Sequence, residues 1–491
     1  MLARLLTPLG YAPFISVIFM GVFYTLGFAP VYIFPLAFLA IGALFLLVRK
    51  VKKARTAFFL GLIFGLAHNL SALYWIPQSF YITTGSVSDT LIYGGSALFI
   101  LCLYLSLYTA ITCYALHKVS TSFVWAPLIF TIFWVTGEII RSVLFTGFPW
   151  NLTGYIFADI PILMQPAAWG GVYTLSAIIV YTATGLTMGR DHITIAILIL
   201  AFSGYMGIWY LTKEVNETQV TKIKVRMVQP NISQIDKWEP KEQERILRKH
   251  LELSTERAHN NKTDIIIWPE TAVATHFLEE SQAIRKTIGN ILTEKQILIT
   301  GGLRRVHIGK NDEYFNSIIS LNNKGKITQM YDKKHLVPFG EYIPFRNFMP
   351  KRIQKMFAAA IDYTSGVGKR TFNIKIPGKG ELTALPLICF ESIFPMEVAQ
   401  SAAQSDFILN ITNDAWFSGT IGPHQHYAMA KMRAVETGLP VLRVGNTGVT
   451  ALIDPSGKEI KALRTDKTGY IDITIPKARK IRPPFLDHFS Q

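Results

Sequence analysis

The chain has 491 residues, of which 50% are hydrophobic and only 17% are charged, and its mean hydropathy is +0.29. A soluble protein of this length would carry more charge, and more than one domain is expected. The three cysteines show no evident pairing, which argues against a disulfide framework. The formal net charge of +16 would suit nucleic acid or an anionic membrane surface, and the apolar segments favour the membrane.

The first two-fifths of the chain predict a transmembrane domain over residues 1–212. A helix needs about 20 apolar residues to cross a bilayer. Seven segments meet this criterion: Pro13–Ala29, Val31–Val48, Ala57–Tyr74, Leu91–Leu116, Phe123–Ile140, Leu163–Met188 and Ile193–Leu211. Glu138 and Arg141 near the end of the fifth segment are ionisable, so they need partners or an interfacial position.

Charges in the loops predict the orientation. The basic cluster Arg49–Arg55 should remain cytoplasmic, whereas the loop Trp75–Asp89 has no lysine or arginine and should face outward. With seven spans, everything after Leu211 then lies outside. We therefore expect a multi-pass protein of a bacterial inner membrane with its remaining domain in the periplasm.

Residues 213–480 have the pattern of an α/β domain. Lys222–Gln229 alternates charged and apolar residues, which is typical of a half-buried strand, and Asp264–Trp268 is a short apolar run suited to a buried strand. Tyr314–Leu321 and Ile327–Tyr331 predict a hairpin. Helical and strand patterns alternate, so we predict a layered α/β sandwich with mixed sheets, followed by a short tail over residues 481–491.

Three polar residues at predicted strand ends form a candidate catalytic set. Cys389 is the one cysteine outside the apolar segments and is a candidate nucleophile, although a free cysteine is also commonly a small buried hydrophobe. Glu270 could take the thiol proton, and Lys333 could stabilise an oxyanion together with the backbone N–H of Phe390. Taken singly, a glutamate or a lysine at such a position is more often a surface group, and the case for catalysis depends on the three together.

The surrounding segments resemble those of a known superfamily. Trp268–Glu270, Lys333–Glu341 and Ile388–Glu391 are similar to the three signature blocks of the nitrilase, or carbon–nitrogen hydrolase, superfamily. That resemblance implies a four-layer αββα sandwich in which the glutamate is the general base, the lysine stabilises the oxyanion and the cysteine is the nucleophile. The preceding spans, with the blocks Thr146–Trp150 and Asn413–Phe417, resemble the membrane-embedded branch of apolipoprotein N-acyltransferases.

This resemblance implies a two-step acyl transfer. Cys389 would take the sn-1 acyl chain of a phospholipid, most simply phosphatidylethanolamine, as a thioester. The α-amino group of the diacylglyceryl-cysteine at the N-terminus of a lipoprotein would then accept the chain. The expected partners are therefore the phospholipid donor, the diacylated apolipoprotein and the membrane, with no nucleic acid, metal or other cofactor, and nothing demands more than a monomer.

Further residues match the family by position. Glu341 would assist proton transfer or orient the amine, and Glu391 would have a structural or substrate-orienting role. Trp238 and Trp416 match aromatic positions near the substrate entrance, and ordinary core packing is the alternative for both. His424 and His426 are better explained as hydrogen-bonding groups beneath the site than as metal ligands, because their spacing matches no zinc pattern.

Residues 342–368 mix aromatic, methionine and basic residues. We interpret this segment as a lid that faces the bilayer, with a packed helical insertion as the alternative.

The sequence departs from the family pattern at two places. Many members have tyrosine directly after the nucleophile, where this chain has Phe390. Members also commonly end in a further span, whereas the tail after Lys477–Arg482 is too short to cross a bilayer, which predicts a C-terminus on the outside.

Two other functions remain open from the residues alone. A membrane-tethered nitrilase-type amidase would use the same three residues with water as the acceptor. A non-catalytic lipid- or lipoprotein-binding protein on the same scaffold would be expected to lack one of the three.

Overall fold

The structure is a computed structural model that describes residues 12–119, 124–215, 220–256, 263–274, 277–309, 311–348, 350, 354, 362–479 and 483–489. The chain divides into two compact units. The first comprises Met1–Pro77 and Thr90–Lys213, and the second comprises Gln78–Asp89 and Glu214–Gln491. The short segment Gln78–Asp89 of the N-terminal half therefore groups with the C-terminal domain.

The regular structure of the first unit is entirely helical among the residues that the structure describes. Its α-helices are Ala12–Thr25, Phe34–Lys50, Ala54–Leu73, Gly95–Lys118, Ala126–Arg141, Pro161–Met164, Ala167–Gly170, Val172–Gly185 and Arg190–Val215. A π-helical turn, Thr90–Gly94, precedes Gly95, and 3₁₀ turns cover Leu144–Thr146 and Thr153–Phe157. Each of the seven predicted apolar segments overlaps one or more of these helices.

Three of the described helices are long and apolar enough to cross a membrane: Ala54–Leu73, Val87–Lys118 and Arg190–Thr212. The sixth predicted segment is not one straight helix, because Pro161–Gly170 and Val172–Gly185 meet at a bend of 115°. Gly171 lies at that bend with a positive φ of 67°. Other apolar helices of this unit have 14 to 17 residues, so the count of seven spans stays a prediction.

Glu138 and Arg141, near the end of the fifth segment, are buried and form hydrogen bonds to the segment that follows their helix. Glu138 Oε1 accepts hydrogen bonds from the N–H and the hydroxyl of Thr153, both at 2.7 Å. Arg141 Nη2 donates to the carbonyls of Trp150 and Asn151 at 3.1 Å. These bonds fold the Thr146–Trp150 turn back onto its helix, as expected for charged groups in an apolar unit.

The second unit contains two six-stranded mixed sheets. Its strands are β1 Val220–Gln229, β2 Ile265–Ile267, β3 Ile297–Ile308, β4 Asn311–Asn322, β5 Ile327–Asp332, β6 Phe372–Ile376, β7 Gly380–Ile388, β8 Phe407–Thr412, β9 Val441–Gly445, β10 Thr450–Ile453, β11 Glu459–Leu463 and β12 Gly469–Pro476. The strand orders are β12-β1-β2-β3-β4-β5 and β11-β10-β9-β8-β7-β6. The predicted hairpin is confirmed, since β4 and β5 pair antiparallel.

Helices complete the second unit. The α-helices are Gln78–Thr84, Val87–Asp89, Gln234–Lys237, Gln243–Thr255, Gln282–Asn290, Pro395–Ala402 and Gly422–Thr437. Short 3₁₀ turns cover Pro240–Glu242, Arg346–Phe348, Cys389–Ile393, Asp414–Phe417 and Pro484–Phe489.

Three hydrophobic clusters show that this unit has four layers. The central cluster joins the inner faces of the two sheets, with Val225 and Ile267 from one sheet and Ile388 and Leu409 from the other. A second cluster packs helices Pro395–Ala402 and Gly422–Thr437 on the β7–β10 sheet, and a third packs Gln243–Thr255 and Gln282–Asn290 on the β1–β4 sheet. The predicted αββα sandwich is confirmed.

Parallel pairing in the middle of each sheet brings polar residues to one end of the sandwich. β1, β2 and β3 run parallel in the first sheet, and β7, β8 and β9 run parallel in the second. The carboxyl ends of parallel strands meet at a common edge, which is where α/β folds place ligand sites. Glu270 follows β2, Cys389 follows β7 and Asp414 follows β8.

Gly301 controls how closely β3 approaches the backbone of Glu270. In Gly301→Ala the new Cβ would lie 2.5 Å from the Thr271 nitrogen and 2.6 Å from the Glu270 Cα, so the backbone must move. We expect this variant to lose about 1–3 kcal/mol of unfolding free energy, measured by thermal unfolding in detergent.

Gly302→Ala is the matched control, because its nearest neighbours are side-chain methyl carbons at 3.5 Å. We expect a change below about 1 kcal/mol for the control. Equal losses in the two variants would contradict the steric argument.

Candidate active site

Lys333 is the buried cation at the centre of the site. It directly follows β5, and its main-chain N–H donates to the Asn316 carbonyl at 2.8 Å, which fixes the start of the following loop. Its side chain is 1% exposed. The ammonium Nζ lies 2.9 Å from Glu341 Oε1 and 3.8 Å from Glu270 Oε1. Two carboxylates from different loops therefore converge on one lysine.

Asn316 donates hydrogen bonds to the same two carboxylates. Its side-chain Nδ2 donates to Glu270 Oε1 at 2.8 Å and to Glu341 Oε1 at 2.9 Å. The other Glu341 oxygen accepts the Val337 N–H at 2.9 Å, which orients this carboxylate within its own loop. Glu270 and Glu341 are thus held by neutral donors as well as by Lys333.

Lys333 stays protonated in this environment. Burial by itself lowers the pKa of Lys333, but the charges of Glu341 and Glu270 outweigh burial and raise that pKa above its usual value. An ammonium so stabilised is a permanent positive charge, suited to an oxyanion that forms beside it.

Cys389 occupies a strained turn at the end of β7. Its φ of +49° lies in the left-handed region, which a residue with a side chain rarely adopts. The residue is partly exposed, and it begins the 3₁₀ turn Cys389–Ile393. Its carbonyl accepts the Ser392 hydroxyl at 3.0 Å. Such strain at a loop after a strand is typical of functional sites.

The thiol of Cys389 is protonated at rest. Burial raises the pKa of the thiol most, the charges of Glu270 and Asp414 raise it further, and Lys333 opposes them. The pKa is therefore above its ordinary value, and a base beside the thiol would be needed to form the thiolate. Glu270 is the carboxylate whose charge most strongly affects the thiol.

Glu391 connects the nucleophile turn to the lysine loop. Its Oε1 accepts the Tyr331 hydroxyl at 2.8 Å and the Lys334 N–H at 3.0 Å, and its Oε2 accepts the Ile388 N–H at 2.8 Å. Arg370 lies 3.4 Å from the same carboxylate. Glu391 is fully buried. These contacts favour a structural role for Glu391 over a substrate-orienting one, the two roles that the family resemblance implies.

His426 lies beneath the nucleophile, as the sequence predicts. Its Nε2 lies 3.1 Å from the Cys389 carbonyl, and its Nδ1 lies 2.9 Å from Asp414 Oδ1. Burial and the neighbouring Arg443 lower the pKa of His426. A neutral imidazole has one N–H, so it can donate to only one of these oxygens at a time.

Asp414, which follows β8, contacts the imidazole of His426. Burial would raise the pKa of Asp414, but Arg443 and His426 lower it to about 2. Arg443 Nη2 donates to Asp414 Oδ2 at 2.9 Å.

Cys389, Asp414 and His426 could together hold a metal ion, since one ligand atom from each lies within 4.8 Å of the others. Arg443 already neutralises the carboxylate of that group, which disfavours a second cation there. The expectation of a metal-free reaction stays a prediction.

The aromatic candidates lie in different environments. Phe390 is 9% exposed and contacts Phe394 edge-on, with ring centroids 5.1 Å apart. Trp238 is 40% exposed, which disfavours core packing. Trp416 is half-buried in the turn Asp414–Phe417, and this turn contacts the helix Gln78–Thr84. Roles for the two tryptophans stay predictions.

Only part of the predicted lid lies within the described residues. Phe345 and Phe348 are 80% and 88% exposed, and Arg346 pairs with Asp362. Residues 349, 351–353 and 355–361 lie outside the described residues. The interpretation of this segment as a bilayer-facing lid therefore stays a prediction.

Known protein families match both halves of the chain. The model of the apolipoprotein N-acyltransferase N-terminal domain matches residues 20–185, and that of carbon–nitrogen hydrolases matches residues 224–482. An apolipoprotein N-acyltransferase of Rickettsia prowazekii is 35% identical over 98% of this chain and 95% of its own length. A Brucella melitensis enzyme of the same name is 34% identical over 94% and 90%.

The chain belongs to the apolipoprotein N-acyltransferase family. It is therefore an acyltransferase whose second unit is a carbon–nitrogen hydrolase domain. Among solved structures, Nit3 of Saccharomyces cerevisiae, a nitrilase-superfamily member, matches 54% of this chain and 92% of its own. Its TM-score is 0.39 and its sequence identity is 18%.

Sequence reasoning missed two residues beside the site of this acyltransferase. Asn316 lies inside a predicted apolar strand, and a buried amide there needs partners, which could have singled it out. Lys237 is 3% exposed, and its ammonium donates to the Glu270 carbonyl at 2.8 Å. No sequence signal distinguishes Lys237, because a lysine beside polar residues is usually at the surface.

The charge balance around Cys389 predicts opposite effects of two substitutions on alkylation. Glu270→Gln removes a charge that raises the thiol pKa, so the thiolate fraction and the iodoacetamide rate at pH 8 should increase. Lys333→Met removes a charge that lowers this pKa, so the rate should decrease. The rate is measured by mass spectrometry of the peptide that contains Cys389. Faster alkylation of Lys333→Met than of the wild type would contradict the arrangement.

Glu391→Gln should destabilise the catalytic unit. One oxygen becomes an NH₂ group that faces backbone donors, which leaves buried N–H groups unpaired at a cost of about 2–4 kcal/mol. Urea unfolding measures the change. Glu381→Gln on the exposed part of β7 is the control and should change stability by less than about 0.5 kcal/mol. Equal stability of the two variants would contradict the connecting role.

Proposed function

We propose that this enzyme transfers an acyl chain from a membrane phospholipid, through a thioester on Cys389, to the α-amino group of an N-terminal diacylglyceryl-cysteine in lipoproteins. The observation that carries the proposal is a partly exposed, strained cysteine beside Glu270 and Lys333 in a chain of this family. We assign the sn-1 chain of phosphatidylethanolamine as the donor, following the family resemblance.

The first half-reaction forms the thioester. The Cys389 sulfur attacks the ester carbonyl carbon as Glu270 takes the thiol proton. The carbonyl oxygen becomes an oxyanion that Lys333 and the Phe390 N–H stabilise. The carbon–oxygen bond of the ester then breaks, Glu270 returns the proton to the departing alkoxide, and a lysophospholipid leaves.

The second half-reaction passes the acyl chain to nitrogen. A neutral α-amine attacks the thioester carbonyl, Glu270 accepts the amine proton, and the same donors hold the oxyanion. The carbon–sulfur bond breaks and the thiolate recovers the proton from Glu270. Glu341 keeps Lys333 in place in both steps through its 2.9 Å contact. The raised pKa of Lys333 keeps its charge constant throughout.

We infer that the catalytic unit works on the periplasmic side of a bacterial inner membrane. The basic cluster Arg49–Arg55 and the loop Trp75–Asp89 without lysine or arginine support this orientation. Both proposed substrates are anchored in the membrane, so a membrane-embedded enzyme meets them in the same layer. Trp238 and the exposed Phe345 and Phe348 are candidates to contact their acyl chains.

A phospholipid with a labelled sn-1 chain tests the first half-reaction. Incubation with the full-length enzyme in lipid nanodiscs should add one acyl mass to Cys389, with release of lysophospholipid and loss of the adduct in neutral hydroxylamine. Cys389→Ser should form no thioester. Cys102→Ser and Cys113→Ser are matched controls that should keep the adduct, since both residues are buried in the first unit.

Adding a diacylglyceryl-cysteine peptide tests the second half-reaction. The peptide should gain one acyl chain as the adduct disappears, measured by mass spectrometry. Release of free fatty acid with an unchanged peptide would instead support a hydrolase that uses water. A wild-type protein without any Cys389 adduct would defeat the proposal.

A further inference from the structure

Lys237 is a buried cation beside the active site that the proposed reaction does not use. It ends the four-residue helix Gln234–Lys237 and is 3% exposed. Its Nζ donates to the main-chain carbonyl of Glu270 at 2.8 Å. Among the described residues, no carboxylate oxygen lies within salt-bridge distance of this ammonium. Burying an ammonium in this way is costly, so the surrounding charges must compensate.

The compensating charge belongs to a residue of the candidate catalytic set. Burial lowers the pKa of Lys237 to about 8, and the negative charge of Glu270 limits that decrease. His250 also faces Lys237 from the helix Gln243–Thr255. Burial lowers the pKa of His250 to about 4, so it is neutral above pH 5 and adds no charge in the working range.

Lys237 balances the charges of the site. Glu270 and Glu341 are two carboxylates, and Lys333 is one ammonium in contact with both. With Lys237 the four groups are balanced, and without it the site carries an excess negative charge. An excess negative charge opposes the oxyanion that forms when Cys389 attacks, because like charges repel strongly in a buried site.

We propose that Lys237 is a positioning residue for thioester formation, which fixes the main chain of Glu270 and supplies the second positive charge that the oxyanion requires. This inference rests on the proposed function. Its two components are separable, because the hydrogen bond to the Glu270 carbonyl sets geometry and the charge sets the electrostatic field. Methionine at position 237 has a similar volume and removes both the hydrogen bond and the charge, whereas arginine retains the charge.

Thioester formation with labelled phospholipid alone isolates this role, since no amine acceptor is then present. Lys237→Met should lower the single-turnover rate roughly 10- to 100-fold with an unchanged KM for phospholipid. Lys237→Arg should recover at least part of the loss. Lys326→Met, an exposed lysine of the β4–β5 turn, is the matched control and should react like wild type.

The pH dependence provides a second readout that needs no variant. Lys237 loses its charge as pH rises through about 8, so the wild-type single-turnover rate should decrease between pH 7 and 9. The Cys389 and Lys333 pKa values are raised above this range, so neither group titrates there. The decrease should be absent in Lys237→Met.

The outcomes separate this inference from the proposed function. A wild-type enzyme that forms no Cys389 adduct defeats the proposed function. An adduct formed at equal rates by wild type and Lys237→Met, or a wild-type rate that does not fall above pH 8, overturns only the role of Lys237. If Lys237→Met does not fold, as judged by thermal unfolding, the wild-type pH profile decides alone.

Discussion

The active site depends on keeping one ammonium, that of Lys333, out of water. Transferring a charged lysine into a protein interior is costly unless opposite charges and hydrogen bonds replace its hydration. The carboxylates of Glu341 and Glu270 supply the opposite charges, at 2.9 and 3.8 Å from the Lys333 Nζ. Asn316 donates a hydrogen bond to each of these carboxylates. Loss of either carboxylate would leave the buried ammonium less compensated, and loss of Asn316 would remove the donor that both carboxylates share.

The same arrangement keeps the thiol of Cys389, the candidate nucleophile, protonated. Glu270 raises the pKa of Cys389 by its negative charge, and it is also the base that removes the proton in the proposed mechanism. A thiol held in this state is a poor target for adventitious electrophiles and becomes nucleophilic only when proton transfer accompanies attack. In the proposed mechanism the oxyanion, rather than the thiolate, is therefore the charge that Lys333 and Lys237 stabilise.

Geometry at the nucleophile comes from contacts on both sides of it. Glu391 joins the end of β7 to the loop that carries Lys333, and His426 with Asp414 lies below the Cys389 carbonyl. Cys389 keeps a left-handed φ because these neighbours over-determine its backbone. The residues that contact this turn lie on β5, directly after β8 and on the helix Gly422–Thr437. Elements of both sheets and one helix layer therefore position Cys389.

The sequence alone determined the two-part organisation, the layered sandwich and the identity of the Glu270, Lys333 and Cys389 candidates. The length of apolar segments, the alternation along strands and the polar residues at strand ends are local features, so they can be recognised in the amino-acid sequence. The tertiary structure decided that Asn316 bridges two carboxylates, that Glu391 connects two loops, and that Lys237 is buried beside Glu270. It also decided the bend at Gly171. Burial and charge pairing are properties of residues far apart in the chain, so only the folded arrangement reveals them.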